Sequence, residues 1–483
     1  MTVTNNTGRA DAVYLYVLGV SLKPGGRLGY VNAAGIHTPW TGGSLPPSPA
    51  PDVSIPGPPN GQSVTLRIPR ELSGRVYMSF GEKLKFFLSP DGLVQPAPWN
   101  PSDPNRNILF DTSEFTYNNA GLWLNSSQVD MFAIPHAVTV TGSTGITTRT
   151  GDLVNDGRNR VINDIRNTAG FANTVHTRSD GTVLRVWAPG KAVDSGSMDA
   201  NYLDPYIASA WNAYTNRTLT VVPFQNEPNT KFFGRTSGNV MNFTNGAGQQ
   251  VASFTRPSTA NVWGCDGNLR APNDLVVGPI ARTLCAALHR STLGTYDTEP
   301  RYSPSEFYHG TITNHYSRII HANMADGKAY GFAFDDVAAQ ESLVHDGDPR
   351  AAGIIMSPFG AGNPGTGNQL QAGQRLTAGQ SLTSTNGRFR LSMQTDGNLV
   401  IYDGASPIWA TGTWNLPADR RPTRVDMQAD GNLVLYNDAN QAAWASGSWG
   451  SGRVNPFVEM QNDGNLVIYH NGRNPLWASG TAR

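Results

Sequence analysis

The segment Gln394-Thr-Asp396-Gly-Asn398-Leu-Val400-Ile-Tyr402 decides the fold of the C-terminal part, because the chain repeats it. It returns 34 residues later as Gln428-Ala-Asp430-Gly-Asn432-Leu-Val434-Leu-Tyr436. A third copy follows after another 33 residues, Gln461-Asn-Asp463-Gly-Asn465-Leu-Val467-Ile-Tyr469. Each copy is followed by Trp-Ala-(Ser/Thr)-Gly, at Trp409, Trp444 and Trp477. A fixed period of this size marks one supersecondary unit used several times. Alternate side chains of an extended strand share a face. Gln, Asp, Asn, Val and Tyr of each copy are therefore expected on one face, with the intervening Leu and Ile buried behind them. Two amides, a carboxylate and a phenol around an apolar spot suit a neutral polyol, whose hydroxyls need donors and acceptors and whose C–H face needs methyl groups. Three copies keeping all five residue types count against a merely decorative polar face.

These motifs resemble the monocot mannose-binding (bulb) lectins of β-prism II fold, whose pattern Gln-x-Asp-x-Asn-x-Val-x-Tyr stands intact three times. The resemblance covers about a quarter of the chain, residues 368–483. It implies a three-sided prism with Trp409, Trp444 and Trp477 near its axis. It also implies that Asp and Asn meet the 2-hydroxyl of mannose, Gln the 3-hydroxyl and Tyr the 4-hydroxyl. Some plant members carry a cysteine where this chain has Gly397, Gly431 and Gly464; the internal disulfide is then missing, which bears on stability rather than on sugar contacts. The Gly/Pro/Asn run from Phe359 to Asn368 reads as a linker, placed at 361–367.

Working outward, the 483 residues include 52 Gly and 33 Pro, and only 15% are charged. That composition argues for many short strands joined by turns rather than a helical bundle. Lys+Arg and Asp+Glu are equal at 36 each. A net charge near zero gives no reason to expect a nucleic-acid or membrane partner. No run of 18 apolar residues is present, so no helical span is expected. Met1 to Val20 lack a signal-peptide pattern, so the numbering is expected to begin at a mature or an intracellular chain. Cys265 and Cys285, spaced C-x19-C, fit no zinc pattern. They are either one disulfide or two buried thiols, and an extracellular location favours the disulfide. No metal or cofactor is expected.

The first 360 residues divide less cleanly. Strands are expected at Val13–Leu18, Ser63–Ile68, Arg75–Phe80, Leu84–Leu88, Phe110–Tyr117 and Val129–Ile134. Asp204-Pro205 reads as a helix start before Tyr206–Tyr214. Further helices are expected over 273–290 and 314–324. Ser303-Pro-Ser-Glu306 has the form of a capping box, and Ala329–Val337 returns to a strand pattern. The reading is a mainly β fold. Residues 1–150 and 328–360 form a β-barrel part, residues 151–327 an α/β part, and a groove lies between them.

A lectin module suggests a neighbour acting on polysaccharide, and glycoside hydrolysis needs two carboxylates. The best pair lies in the segment Phe110–Asp130. Turns at 118–121 and 125–128 make a three-strand meander in which Thr116 pairs with Trp123 and Trp123 with Asp130. Glu114, Thr116, Asn118, Trp123 and Asp130 then share one face. Asp130 would lie about 9–10 Å from Thr116. Leaning side chains would bring the two carboxyls to roughly 6.5–9.5 Å, the inverting range. Trp123 would be a stacking floor. Spacing cannot tell which carboxylate is the acid.

Residues 1–360 are similar to glycoside hydrolase family 64, laminaripentaose-producing endo-β-1,3-glucanases with a thaumatin-like core. The resemblance rests on Glu114-Phe-Thr-x-Asn118, Trp123, Asp130 and Tyr330-Gly-Phe-Ala-Phe-Asp335-Asp336. It implies inversion, with Glu114 as general acid, Asp130 as general base, and Thr116, Asn118 and Trp123 as substrate contacts. Glu114 would need desolvation from Trp123 and bound sugar to stay protonated. Asp335 and Asp336 are read as caps. Tyr14, Trp40 and Trp99 are weighed as sugar platforms, with closing a core edge the commoner role. The expected protein is a secreted, inverting endo-β-1,3-glucanase targeted to a mannan-bearing fungal or yeast wall. Its partners are β-1,3-glucan and mannose-containing glycans. A non-catalytic thaumatin-like/lectin defence protein is the alternative.

Overall fold

The computed structural model describes residues 1–154, 156–359 and 368–483. They form two compact units, Met1–Ser357 and Pro358–Arg483. The expected linker at 361–367 lies outside the described residues.

The first unit is built on an antiparallel sheet ordered Leu343–Asp346, Gly121–Ser126, Leu109–Asn118, Leu72–Phe80, Val13–Ser21, Leu28–Val31, His37–Pro39. A second sheet is ordered Thr147–Thr150, His136–Gly142, Pro349–Met356, Thr2–Asn5, Ser63–Thr65. Neither strand order closes on itself, and Ile55–Pro56 branches off beside Val13–Ser21 in the first, so the expected closed barrel is replaced by open sheets. The Leu109–Asn118 strand is buried on both faces at its start and alternates at its end, where Phe115 points into the core while Glu114 and Thr116 stay half-buried. That switch turns one face of a core strand into the floor of a groove.

Helices Asp204–Ala213 and Val277–His289 pack on a further five-stranded sheet spanning Leu219–Glu299, while Gly157–Arg166 and His315–Ala322 pack on each other. The expected division near residues 150 and 327 is no break in packing. Tyr16, Tyr77 and Phe110 of the first sheet share one continuous core with Ile162, Trp187, Trp211 and Leu284. Cys265 and Cys285 form a disulfide, with Cα atoms 5.8 Å apart.

Three local expectations change. Residues 329–337 form one bridge, from Tyr330 to Ser127, followed by a bend and turns, not a strand. The buried Asp335 carboxylate accepts from Gly331 N (2.9 Å) and pairs with Arg290 and His321 (both 2.9 Å), folding the segment back on itself. Ser303 caps nothing; Pro304–Glu306 is a single 3-10 turn and Glu306 pairs with Arg301 instead. Asp204 uses its carboxylate to hold Thr259 (2.6 Å to Oγ1) at the next helix rather than to cap its own.

The second unit has three four-stranded sheets, one for each repeat. Three short strands, Gln369–Gln371, Arg375–Thr377 and Ser381–Thr383, supply one edge to each sheet. Their leucines, Leu370, Leu376 and Leu382, are fully buried. Trp409, Trp444 and Trp477 form a triangle with ring centroids 5.9, 6.0 and 6.0 Å apart, edge to face. Quadrupoles favour that geometry, and it places the three rings about a common axis.

Candidate functional site: a carboxylate pair joined by one guanidinium

Two rungs cross the main sheet side by side. In one, Ser73, Thr116, Trp123 and His345 stand opposite one another; in the next, Arg75, Glu114, Asn125 and Leu343 do. Opposed residues share a face, so these side chains form one floor, over a depression of about 380 Å³. Ser73 Oγ and Thr116 Oγ1 are 2.8 Å apart. The Trp123 and His345 rings lie 4.1 Å apart by centroid.

The expected meander ends at its second strand. Trp123 pairs with Thr116, as the spacing predicts, but its other neighbour is His345 and not Asp130. The position beside Gly121–Ser126 is taken by Leu343–Asp346, returning from the far end of the unit. The chain beyond Ser126 instead leaves the sheet to feed the α/β part, where Met131–Phe132 pairs with Val183–Trp187. Of the strand expected over 129–134, only those two residues form.

Asp130 nevertheless reaches Glu114. Arg75 donates through Nε and Nη2 to Glu114 Oε1 (2.8 and 2.7 Å) and through Nη1 to Asp130 Oδ2 (3.2 Å). A guanidinium is a rigid planar fork, so the two carboxyls face each other across its span. All three side chains are about one-quarter to one-third exposed (Arg75 32%, Glu114 30%, Asp130 25%). Burial disfavours the Arg75 cation, but the two carboxylates outweigh it and hold its pKa above the usual value.

Asp130 sits on a segment pinned from several sides. Gln128 donates its N–H to Tyr330 O (2.9 Å), accepts from Tyr330 N at Oε1 (3.0 Å), and accepts from the Tyr316 hydroxyl at its carbonyl (2.6 Å). Buried Asp111 accepts from Ala133 N and Ile134 N, both at 2.9 Å, just beyond. Lys191 Nζ is 3.5 Å from Asp130 Oδ1 and 4.2 Å from the Trp99 ring centroid. Trp99, Asp130, Arg75 and Lys191 line a second depression of about 300 Å³, and a third of about 480 Å³ continues from Asp130 along 188–194 and 331–333. Because Arg75 and Asp130 are shared, the three join into one groove.

The other expected positions divide. Asn118 uses its Oδ1 on Ala120 N (2.8 Å), holding the hairpin turn at the end of the floor. Of the three aromatic platforms, Trp99 lines the groove. Trp40 is buried against Tyr30, and Tyr14 lies under Lys83. Asp335 is a buried ion-pair partner, and Asp336 pairs with Arg282 at 2.6 Å. Neither acid is a cap. Arg75, Lys191, Asn125 and His345 escaped the sequence reading. The strand carrying Arg75 is legible, but its pairing 39 residues away is not. Among the described residues, Cys265, Cys285 and His289 are close enough to hold a metal ion, but the disulfide removes the thiolates.

In the second unit the motif straddles a hairpin turn rather than one straight strand. Gln394 N donates to Asn398 O, and Gly397 sits at φ +86°. Gly431 and Gly464 match it at +89° and +85°, a left-handed conformation that suits glycine. Gln394 Nε2 donates to the Tyr402 hydroxyl (2.6 Å), and the same bond recurs from Gln428 to Tyr436 (2.8 Å) and from Gln461 to Tyr469 (2.7 Å). Asp396, Asp430 and Asp463 each accept the N–H of the motif Asn at 2.9–3.0 Å. The Asn oxygens accept in turn from Thr411, Ser446 and Ser479. Val400, Val434 and Val467, expected on the exposed face, are only 3%, 3% and 4% exposed, because both faces of these short strands are covered.

A long open groove with two opposed carboxylates on its floor and aromatic rings beside them is the layout of a glycoside hydrolase. The fold and the site therefore define a mainly β, glycan-directed protein carrying a second unit with three equivalent polar hairpins. The beta-1,3-glucanase pattern matches residues 1–356, and the chain belongs to glycoside hydrolase family 64. It is 47% identical over 361 residues to the glucan endo-1,3-beta-glucosidase of Arthrobacter sp. (strain YCWD3) and 46% identical to that of Cellulosimicrobium cellulans. In each case the match covers 74% of this chain and 65% of the relative's length. A laminaripentaose-producing beta-1,3-glucanase, solved in complex with laminaritetraose, superposes with a TM-score of 0.71 at 51% identity, covering 74% of this chain and 98% of that one. The C-terminal region matches bulb-type mannose-binding lectins. It is 48% identical over 54 residues to the mannose-specific lectin of Narcissus pseudonarcissus, covering 11% of this chain and 46% of the lectin.

Proposed function

We propose that the protein is a secreted endo-β-1,3-glucanase that inverts the anomeric centre, releases laminaripentaose-like oligosaccharides, and is held on mannan-bearing cell walls by its C-terminal unit. The observation that carries this reading is the facing of Glu114 and Asp130 across Arg75, on a floor that also presents Trp123 and Thr116.

In the proposed reaction Glu114, protonated, gives its proton to the glycosidic oxygen as the C1–O bond breaks. Asp130 removes a proton from a water molecule whose oxygen attacks C1 from the opposite side. The attack replaces one C–O bond by another of opposite configuration, and the proton lost by water balances the one given to the leaving sugar. Arg75 and Lys191 keep Asp130 aimed at the space in front of Glu114. Trp123 stacks on a sugar ring, and Thr116 and Asn118 contact its hydroxyls.

A reducing-sugar assay on laminarin, with NMR of the newly formed anomer, tests the proposal. Release of α-configured ends is expected. Release of β-configured ends would replace inversion by retention, and no release at all would leave a carbohydrate-binding protein without hydrolytic function.

A further inference from the structure

The three lectin-like hairpins share a common set of hydrogen bonds but not the same rims. After each Trp-Ala-(Ser/Thr)-Gly the chain folds back onto the motif turn. Thr413, Ser448 and Thr481 each donate a hydroxyl to the carbonyl of the motif glycine (2.6 Å in all three) and a backbone N–H to the motif Asn Oδ1 (3.2, 3.3 and 3.2 Å). The residue that follows is Trp414 in the first copy and Trp449 in the second, but Ala482 in the third.

Trp449 is bracketed. Ser448 on one side holds Gly431 and Asn432, and Gly450 N on the other donates to Asp430 O (2.9 Å). Its backbone is thereby fixed to the turn Asp430-Gly431-Asn432 on both sides. Around Ala482 the same bracket stands, since Arg483 N donates to Asp463 O (2.7 Å). The scaffold forms without an indole, so the tryptophans are not there to build it. Nor do they fill the core: Trp414 is 58% and Trp449 68% exposed. One exposed aromatic residue needs no explanation. The same one, at the same register, beside two copies of one polar binding motif, does.

We infer that Trp414 and Trp449 are stacking platforms for a second sugar. They would extend the first and second hairpin sites from monosaccharide to oligosaccharide binding and leave the third as a monosaccharide site. The inference rests on the reading of the three motifs as mannose sites. The ligand class is a neutral, mannose-containing oligosaccharide of at least two residues. One residue sits on the Gln, Asp, Asn and Tyr groups, and its neighbour lays its C–H face on the indole.

The test is calorimetry of the full chain with methyl α-mannoside and with an α-linked mannotriose. The native protein should bind the mannotriose more tightly than the monosaccharide. The double variant Trp414→Ala/Trp449→Ala should weaken mannotriose binding by roughly three- to tenfold, the scale of one aromatic contact, with monosaccharide affinity unchanged. Ala482→Trp should sharpen the third site for the mannotriose. A double variant that keeps the full preference, or a native protein that binds both sugars equally, overturns the platforms while leaving the mannose sites standing. If neither sugar binds at all, the mannose reading fails and the platforms fail with it.

Discussion

The groove of the first unit and the hairpins of the second both present carboxylates, amides and aromatic rings, yet they are assembled in opposite ways. Each hairpin gathers its groups from nine consecutive residues around one turn. In the groove Glu114 and Asp130 reach each other through Arg75, which is 39 residues from Glu114 and 55 from Asp130 in the chain. Binding tolerates weak, local, repeated sites because repetition multiplies them. Acid–base chemistry needs two ionisable groups held at one separation. The groove concentrates its paired groups in one place, where the hairpins repeat theirs three times.

The largest expected effect tests that concentration. Glu114→Gln and Asp130→Asn should each lower laminarin hydrolysis at least about a hundredfold, while mannose binding stays intact in calorimetry. Full activity in both variants would remove the groove from the mechanism and dissolve the contrast.

Arg75→Met comes next. Without the guanidinium the two carboxyls lose their common partner, and activity should fall about tenfold or more through lost positioning. Laminarin hydrolysis at the native rate would show that Arg75 does not position the pair.

A smaller effect is expected when residues 368–483 are removed. Soluble laminarin should be cleaved as before, while attack on intact yeast walls should weaken by roughly tenfold through lost multivalent attachment. Equal rates on walls with and without the second unit would reject the targeting role.

The smallest test breaks one hairpin. Tyr436→Phe removes the hydroxyl that takes the Gln428 donor. Calorimetry should show the number of mannose sites fall from three to two, with mannan binding reduced only a few-fold. Loss of all mannan binding would mean that the hairpins act as one site, and the distinction between the units would fail.

Legibility followed the same division. The hairpin of Leu109–Asn118 with Gly121–Ser126 was readable because a short turn between alternating strands sets its register, and Thr116 opposite Trp123 followed from it. The step to Asp130 failed because it assumed that the next segment continues the meander. Leu343–Asp346 occupies that place, and no local pattern around Ser126 announces it. In the second unit the five-residue motif and the tryptophans were legible, but treating the motif as a straight strand hid the turn at Gly397 and the covered valines. The leucine period of Leu370, Leu376 and Leu382 was also present in the sequence and passed unread.

What the sequence determined by itself were the groups set by local pattern: three copies of one polar motif, a tryptophan after each, and the pairing of Thr116 with Trp123 on the groove floor. Their partners lie within a few residues, so turn chemistry and side-chain alternation decide them. Tertiary structure alone placed Asp130 in front of Glu114, inserted Arg75 between them, and set His345 beside Trp123. Those meetings join distant segments, and their closure entropy is offset only by a core to which the whole first unit contributes.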